Sequence, residues 1–285
     1  MVLVIPCYNE ALRFRASSFR EFLAQTPDVV LAFVDDGSTD GTHECIVPLA
    51  EDYPLRVTVV RLPRNGGKAE AVRKGIRHAL GLSPAFVGYW DADLATPLSA
   101  ACTMRELLRQ NPAALLVMGA RVQMLGRDIR RRPVRHYAGR VFATVAALML
   151  GVPVYDTQCG AKLLRVTGTT RRLFDQAFAS PWAFDVELLA RLMRSCANGA
   201  LPVSGTVVEY PLPVWHDVPG SKVRPHHLLR VVGDLMRIGV QHRWRARSSA
   251  GGDTGVPPIE VQSDGPVRAG GELRDTASLP TTRVL

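Results

Sequence analysis

Two carboxylates one residue apart, Asp91 and Asp93, stand where the apolar run Ala85 to Trp90 stops. A strand ending in Asp-Ala-Asp can turn both carboxylates onto one hard cation, with water and phosphate oxygens filling its other positions, which suits Mg²⁺ or Mn²⁺. The same triplet also reads as loop chemistry, with Asp93 as a helix N-cap. Asn65-Gly66-Gly67-Lys68 opens a helical pattern but lacks the full GxxxxGK[ST] spacing, so it is not a P-loop. It reads as a tight turn bringing Lys68 and a helix N-terminus near a nucleotide, or as a plain helix start. Between Gly126 and Arg140 lie Arg127, Arg130, Arg131, Arg132, Arg135 and Arg140, followed by the apolar stretch Val141 to Leu150. A divalent ion together with Arg or Lys neutralises a departing diphosphate without any proton transfer. Arg121, the arginine cluster, Lys162 and Lys222 are the candidates for that work. No Ser-His or Cys-His constellation is evident.

The elements that must position these residues alternate. Val2 to Ile5, Val29 to Val34, Leu55 to Leu62 and Ala85 to Trp90 are short apolar runs, separated by helical patterns near Ala16 to Gln25, from Thr42, and over Lys68 to Leu80. That is βαβ rhythm, which predicts a parallel sheet covered by helices on both faces and a ligand crevice beyond the carboxyl ends of the strands. Polar clusters fall at those ends: Pro6, Tyr8, Asn9 and Glu10 after the first strand, Asp35 to Ser38 after the second, Asp91 and Asp93 after the fourth. Each cluster alone is ordinary turn chemistry; three at successive strand ends point to a site. The second half is less regular, with a helix over Phe184 to Cys196, a strand near Thr206 to Tyr210 and a last helix from about His227 to Val240.

The chain has 285 residues, 47% hydrophobic and 21% charged, enough for one sizeable core. We read residues 1–245 as that single domain and 246–285, without an aromatic residue or an apolar period, as a disordered tail. The net charge of +9 suits a phosphate-bearing partner. Cys7, Cys45, Cys102, Cys159 and Cys196 show no CxxC pair or zinc spacing, which fits a reduced compartment. The start of the chain lacks a basic n-region, and Val141 to Tyr155 falls short of the roughly twenty apolar residues of a membrane span. The expectation is a cytoplasmic protein able to sit peripherally at the cytoplasmic face of a membrane.

VIPCYNE (Val4 to Glu10), VDDGSTDGT (Val34 to Thr42), NGGKAEAVRKGI (Asn65 to Ile76), DADLATP (Asp91 to Pro97), GAR (Gly119 to Arg121) and DTQCGAKLLR (Asp156 to Arg165) resemble, in order and spacing, the family 2 glycosyltransferases. Among these they most resemble the polyprenyl-phosphate sugar synthases, over Val2 to roughly Val240. The resemblance implies a GT-A fold, a Rossmann-like α/β architecture with a mostly parallel sheet flanked by helices. It implies a nucleotide sugar held by Pro6, Tyr8, Glu10, Asp36, Lys68, Asp91 and Gln158, with the metal on Asp91 and Asp93. It also implies that Asp93, Arg121, Arg131 and Lys222 serve the transfer, the basic segment and Lys222 meeting the donor and acceptor phosphates. DADLATP and DTQCGAK look closer to the dolichyl-phosphate glucosyltransferase branch than to the mannosyl branch, which implies UDP-glucose rather than GDP-mannose. Members invert the anomeric centre in one displacement, and a lipid phosphate, already mostly an oxyanion at neutral pH, attacks without a strong base.

Many members carry an N-terminal signal-anchor or C-terminal transmembrane helices, and the expectation from this sequence is that it has neither. Membrane attachment would then rest on the arginine cluster meeting anionic lipid and on Val141 to Leu150 dipping into the interface, unless that stretch is simply a core helix. A soluble saccharide or metabolite acceptor is the first rival reading. A nucleic-acid binder, suggested by the charge, is opposed by the scarcity of aromatic residues around the basic segment, so no nucleic-acid partner is expected.

Overall fold

A computed structural model describes residues 1–131, 133–196, 205–218, 233–235 and 237–238, with Val134 and Arg135 described by backbone only. Lys222, Arg132, the tail 246–285 and most of the helix expected from His227 to Val240 lie outside the described residues.

Strands β1 (Val2–Cys7), β2 (Val30–Asp35), β3 (Val57–Arg61) and β4 (Phe86–Trp90) alternate with helices α1 (Ala16–Gln25), α2 (Thr42–Asp52) and α3 (Lys68–Gly81). After β4 come α4 (Ala100–Gln110), β5 (Leu116–Ala120), β6 (Asp128–Arg130), α5 (Pro133–Leu150), β7 (Ala161–Arg165), α6 (Gly168–Arg172), α7 (Phe184–Ser195), β8 (Val207–Pro211) and β9 (Val214–His216). Seven strands form one sheet in the order β3-β2-β1-β4-β7-β5-β8, and β6 pairs with β9 in a small second sheet. The expected parallel sheet is there with one exception. β7 runs antiparallel to both β4 and β5, with Trp90 opposite Ala161 and Val117 opposite Leu163.

Burial explains why the strands read as continuous apolar runs. Val2 and Val4 of β1 enter the core on one face, while Leu3, Ile5 and Cys7 enter the core on the other. With period-2 side chains, only a strand covered on both sides needs apolar residues at every position. The first core takes the buried faces of α3 and α7; the second takes Phe19 and Leu23 of α1, Ile46 of α2 and Met104 of α4. In the second core Phe19 stacks on Phe14 at 5.2 Å and meets Phe33 edge-on at 5.0 Å.

Helix α5 corrects a choice left open by the sequence, because it is neither a full core helix nor free of the core. Ala143, Ala146 and Leu150 are buried, whereas Tyr137, Val141, Val145 and Leu148 are 70%, 66%, 45% and 79% exposed. Their spacing of four, four and three residues makes them one stripe along the helix. Among the described residues no helix is long and apolar enough to cross a membrane.

Candidate active site

The carboxyl ends of β1, β2 and β4 carry the polar loops, and those loops are sewn together. After β1, the Asn9 amide donates to Ser38 Oγ at 3.0 Å and the Glu10 amide to Thr42 Oγ1 at 2.7 Å, both beyond β2. In return the Thr39 amide donates to Asn9 Oδ1 at 2.9 Å. Asn9 holds this contact at a φ of 49°, a left-handed backbone that asparagine tolerates better than most residues. Pro6 pairs with Val34 inside the sheet, Tyr8 is half-buried just beyond it, and the Glu10 carboxylate meets Arg13 at 2.6 Å.

Beyond β2 the two aspartates diverge. Asp36, buried, accepts the Gly66 and Gly67 amides on its two oxygens, each at 2.8 Å. Burial raises its pKa while these two amides hold it down. The Asn65 to Lys68 turn is therefore clamped by Asp36, and α3 starts at Lys68 as the pattern suggested. Asp35 is fully buried, and its Oδ2 has no hydrogen-bond partner although His43 Nδ1 and Arg61 Nε each stand 3.6 Å away. His43 and Arg61 were not singled out in the sequence; only the packing of α2 and β3 beside Asp35 brings them here.

Past β4 the chain delivers Asp91 and Asp93 to the same rim. The Ala95 amide donates to Asp93 Oδ1 at 3.1 Å, closing a local turn well before α4 begins, so Asp93 does not cap that helix. Leu94 between them sits at a φ of 54°, a strained position for a side chain of this size. Asp91 Oδ1 lies 2.5 Å from the Lys68 ammonium, and the Asp91 amide donates to the Gly160 carbonyl at 3.1 Å. Burial raises the pKa of Asp93, and the neighbouring Asp91 charge raises it further, while Lys68 and Arg13 oppose this. Such a crowded acid pair fits a divalent cation, which would relieve the repulsion. Among the described residues no three His, Cys, Asp or Glu side chains could hold a metal by themselves.

Arg121, at the end of β5, does not point into open space. Its Nε and Nη2 meet the two oxygens of Asp156 at 2.6 and 2.8 Å, its amide donates to the same carboxylate at 3.1 Å, and its guanidinium lies 5.3 Å from the Trp215 ring. Burial alone would raise Asp156, but Arg121 outweighs it and holds the carboxyl well below the usual range; Arg131 adds to the same effect. A side chain on Gly139 of α5 would overlap the Arg131 guanidinium, so that glycine makes room for it. Arg121 and Arg131 thus converge on Asp156. Next to them Gln158 Nε2 and Thr157 Oγ1 are buried without hydrogen-bond partners.

One expectation is overturned. Lys162 was a candidate for phosphate, yet it is fully buried and its ammonium is spent on Asp185 Oδ1 (2.6 Å), the Cys159 carbonyl (2.6 Å) and the Thr157 carbonyl (3.0 Å). With all three donors satisfied inside the core, it has none left for a ligand. β7 lies between β4 and β5 and is buried on both faces, so Lys162 is inside the core, which the lone motif could not reveal.

The model of the family described as "Glycosyl transferase family 2" matches residues 2–169, which contain every strand-end cluster above. The chain belongs to glycosyl transferase family 2. This glycosyltransferase is 29% identical over 279 residues to a dolichyl-phosphate beta-glucosyltransferase of Trichomonas vaginalis, covering 90% of this chain and 76% of that protein. It is 31% identical over 264 residues to the dolichyl-phosphate beta-glucosyltransferase of Drosophila melanogaster, covering 86% of this chain and 77% of that protein. Among solved structures, mannosyl-3-phosphoglycerate synthase from Rubrobacter xylanophilus superposes with a TM-score of 0.58 at 16% identity, covering 90% of this chain and 78% of that one. The fold is GT-A.

On this glycosyltransferase a groove of about 570 Å³ runs beside α5, between Leu148, Val152 and Val154 on its apolar lining and Arg140 and Glu209 at its polar end. Arg140 stacks on Tyr155 at 3.7 Å and donates to the Tyr155 carbonyl at 2.9 Å.

Proposed function

We propose that this glycosyltransferase moves glucose from UDP-glucose to a polyprenyl phosphate, with Mg²⁺ or Mn²⁺ on Asp91 and Asp93. The observation that carries the reading is the crowded Asp91–Asp93 pair beside Lys68, with the Arg121 guanidinium close enough to feel the Asp91 charge. The bound cation would stabilise negative charge on the departing diphosphate.

The chain's own residues supply the rest. Pro6, Tyr8, Glu10 and Asp36 form the rim where the nucleoside would lie, and Asp36 keeps the Gly66–Gly67 turn at the height that Lys68 needs to reach Asp91. Lys68 adds a positive charge beside the diphosphate. Gln158, whose buried amide nitrogen lacks a partner, offers a donor to the sugar. Arg121, fixed by Asp156, and Arg131 bring positive charge to the acceptor phosphate, and Lys222, outside the described residues, is proposed for the same work. The acceptor phosphate arrives as an oxyanion and attacks the anomeric carbon directly, so no side chain has to take a proton.

Support for a lipid acceptor comes from the two dolichyl-phosphate relatives, from the exposed stripe Tyr137, Val141, Val145 and Leu148, and from the groove beside it. The stripe and the neighbouring arginines suit an interfacial helix on an anionic membrane, with the first isoprene units in the groove. Residues 1–245 would be the catalytic domain, a boundary supported by the compact unit Met1–Ala246.

The test is transfer of labelled sugar from UDP-glucose, with GDP-mannose alongside, to a short-chain polyprenyl phosphate in Mg²⁺ or Mn²⁺. Organic-extractable label from UDP-glucose that disappears with EDTA and with Asp93→Ala is the expected result. Donor hydrolysis without lipid labelling would remove the acceptor and leave the donor chemistry.

A further inference from the structure

Behind the Asp91–Asp93 rim lies a buried charge pair that does not itself face the crevice. Lys162 on β7 is 0% exposed, and Asp185, in the first turn of α7, is its partner at 2.6 Å. The Tyr89 hydroxyl donates to the same Asp185 oxygen. Burying two charges costs about as much as their attraction returns, so an apolar pair would fill this space as well. What an apolar pair would lack is direction. The two remaining ammonium N–H groups are aimed at the carbonyls of Thr157 and Cys159, which ties the 157–160 turn to α7.

That turn touches Asp91 twice. The Gly160 carbonyl accepts the Asp91 amide at 3.1 Å, and the space a Gly160 side chain would need is filled by the Asp91 carboxylate. A shift of the turn therefore moves the backbone of Asp91 or collides with its carboxylate. The line of contact runs from Asp185 through Lys162 and the turn to Asp91, and from there to Lys68.

We propose that Lys162 and Asp185 are positioning residues for the donor site: the pair sets the 157–160 turn, and the turn sets where the Asp91 carboxylate meets the divalent cation. This rests on Asp91 and Asp93 being the metal pair.

Two variants of the full chain test it, the apolar swap Lys162→Met with Asp185→Leu and the isosteric Asp185→Asn. Mn²⁺ affinity in the presence of UDP is read by electron paramagnetic resonance, and turnover and thermal melting are read separately. The swap replaces the ion pair with an apolar pair but leaves the Tyr89 hydroxyl and the Thr157 and Cys159 carbonyls without partners, so it is expected to melt roughly 5–10 °C below wild type and still fold. It is expected to bind Mn²⁺ about tenfold more weakly and to lose about a hundredfold in kcat, since small misplacements of reacting groups have effects of that size. Asp185→Asn should move the same readouts in the same direction by less. A folded variant with wild-type Mn²⁺ affinity and wild-type kcat overturns the proposal and leaves the pair as core filling. Should the swap fail to fold, Asp185→Asn decides by the same criterion. If wild type itself binds no Mn²⁺ with UDP, the metal reading of Asp91 and Asp93 falls instead.

Discussion

Arg121 and Asp156 face each other through two parallel hydrogen bonds of 2.6 and 2.8 Å, at side-chain exposures of 12% and 8%. Fork-to-fork pairing holds the guanidinium in one plane, and the Trp215 ring borders it. Asp156→Asn keeps the shape but leaves the arginine charge without its counterion, which should cost about 3 kcal/mol of stability. Arg121→Lys keeps the charge and loses the fork. Its kcat should fall more than its melting temperature, and comparison of the two by steady-state kinetics and calorimetry checks this.

Asp93 holds its proton more tightly than an ordinary aspartate, through burial and then the Asp91 charge. By linkage, a carboxyl whose folded-state pKa is raised detracts from stability above that value, and the penalty fades as pH falls toward the ordinary aspartate value. Metal-free Asp93→Asn should therefore be more stable than wild type at neutral pH, by roughly 1 kcal/mol, with the gain shrinking in acid. Chemical denaturation at pH 7 and pH 4 reads it; a gain that grows in acid would contradict the assignment.

Asp36 clamps two backbone amides, those of Gly66 and Gly67. Asp36→Ala orphans both and frees the turn that carries Lys68, at a cost of about 1–3 kcal/mol. The donor KM should rise about tenfold, with a smaller change in kcat. Isothermal titration with the nucleotide diphosphate separates the binding loss from any change in chemistry.

The α5 stripe supplies a surface test. Leu148 is 79% exposed and Val141 66% exposed, so Leu148→Glu and Val141→Glu should leave folding unchanged. Each should lower partitioning onto anionic vesicles by about tenfold, the loss expected from removing one apolar side chain from the interface. Flotation with vesicles of anionic and of neutral lipid measures this and separates apolar insertion from arginine attraction.

Much of this was legible in the chain. Apolar runs of strand length, helical periods between them and turn residues after them are local patterns, so β1 to β4 and α1 to α3 could be drawn from the sequence, with Asp91 and Asp93 at a strand end. The clamp of Asp36 on the 66–67 amides, the reversal of β7 and the half-exposure of α5 could not. Nor could the fate of the charges. Arg121 and Asp156 are 35 residues apart in the chain, Lys162 and Asp185 are 23 apart, and Tyr89 and Asp185 are 96 apart. A lysine in a motif looks the same whether its strand lies at a sheet edge or, like β7, in the middle and buried on both faces. Residue type and spacing determined the chemistry available at each strand end, because those depend on a few neighbouring positions. Sheet order and strand direction decided which charges meet and which remain for a ligand, because pairing across a sheet depends on the whole chain.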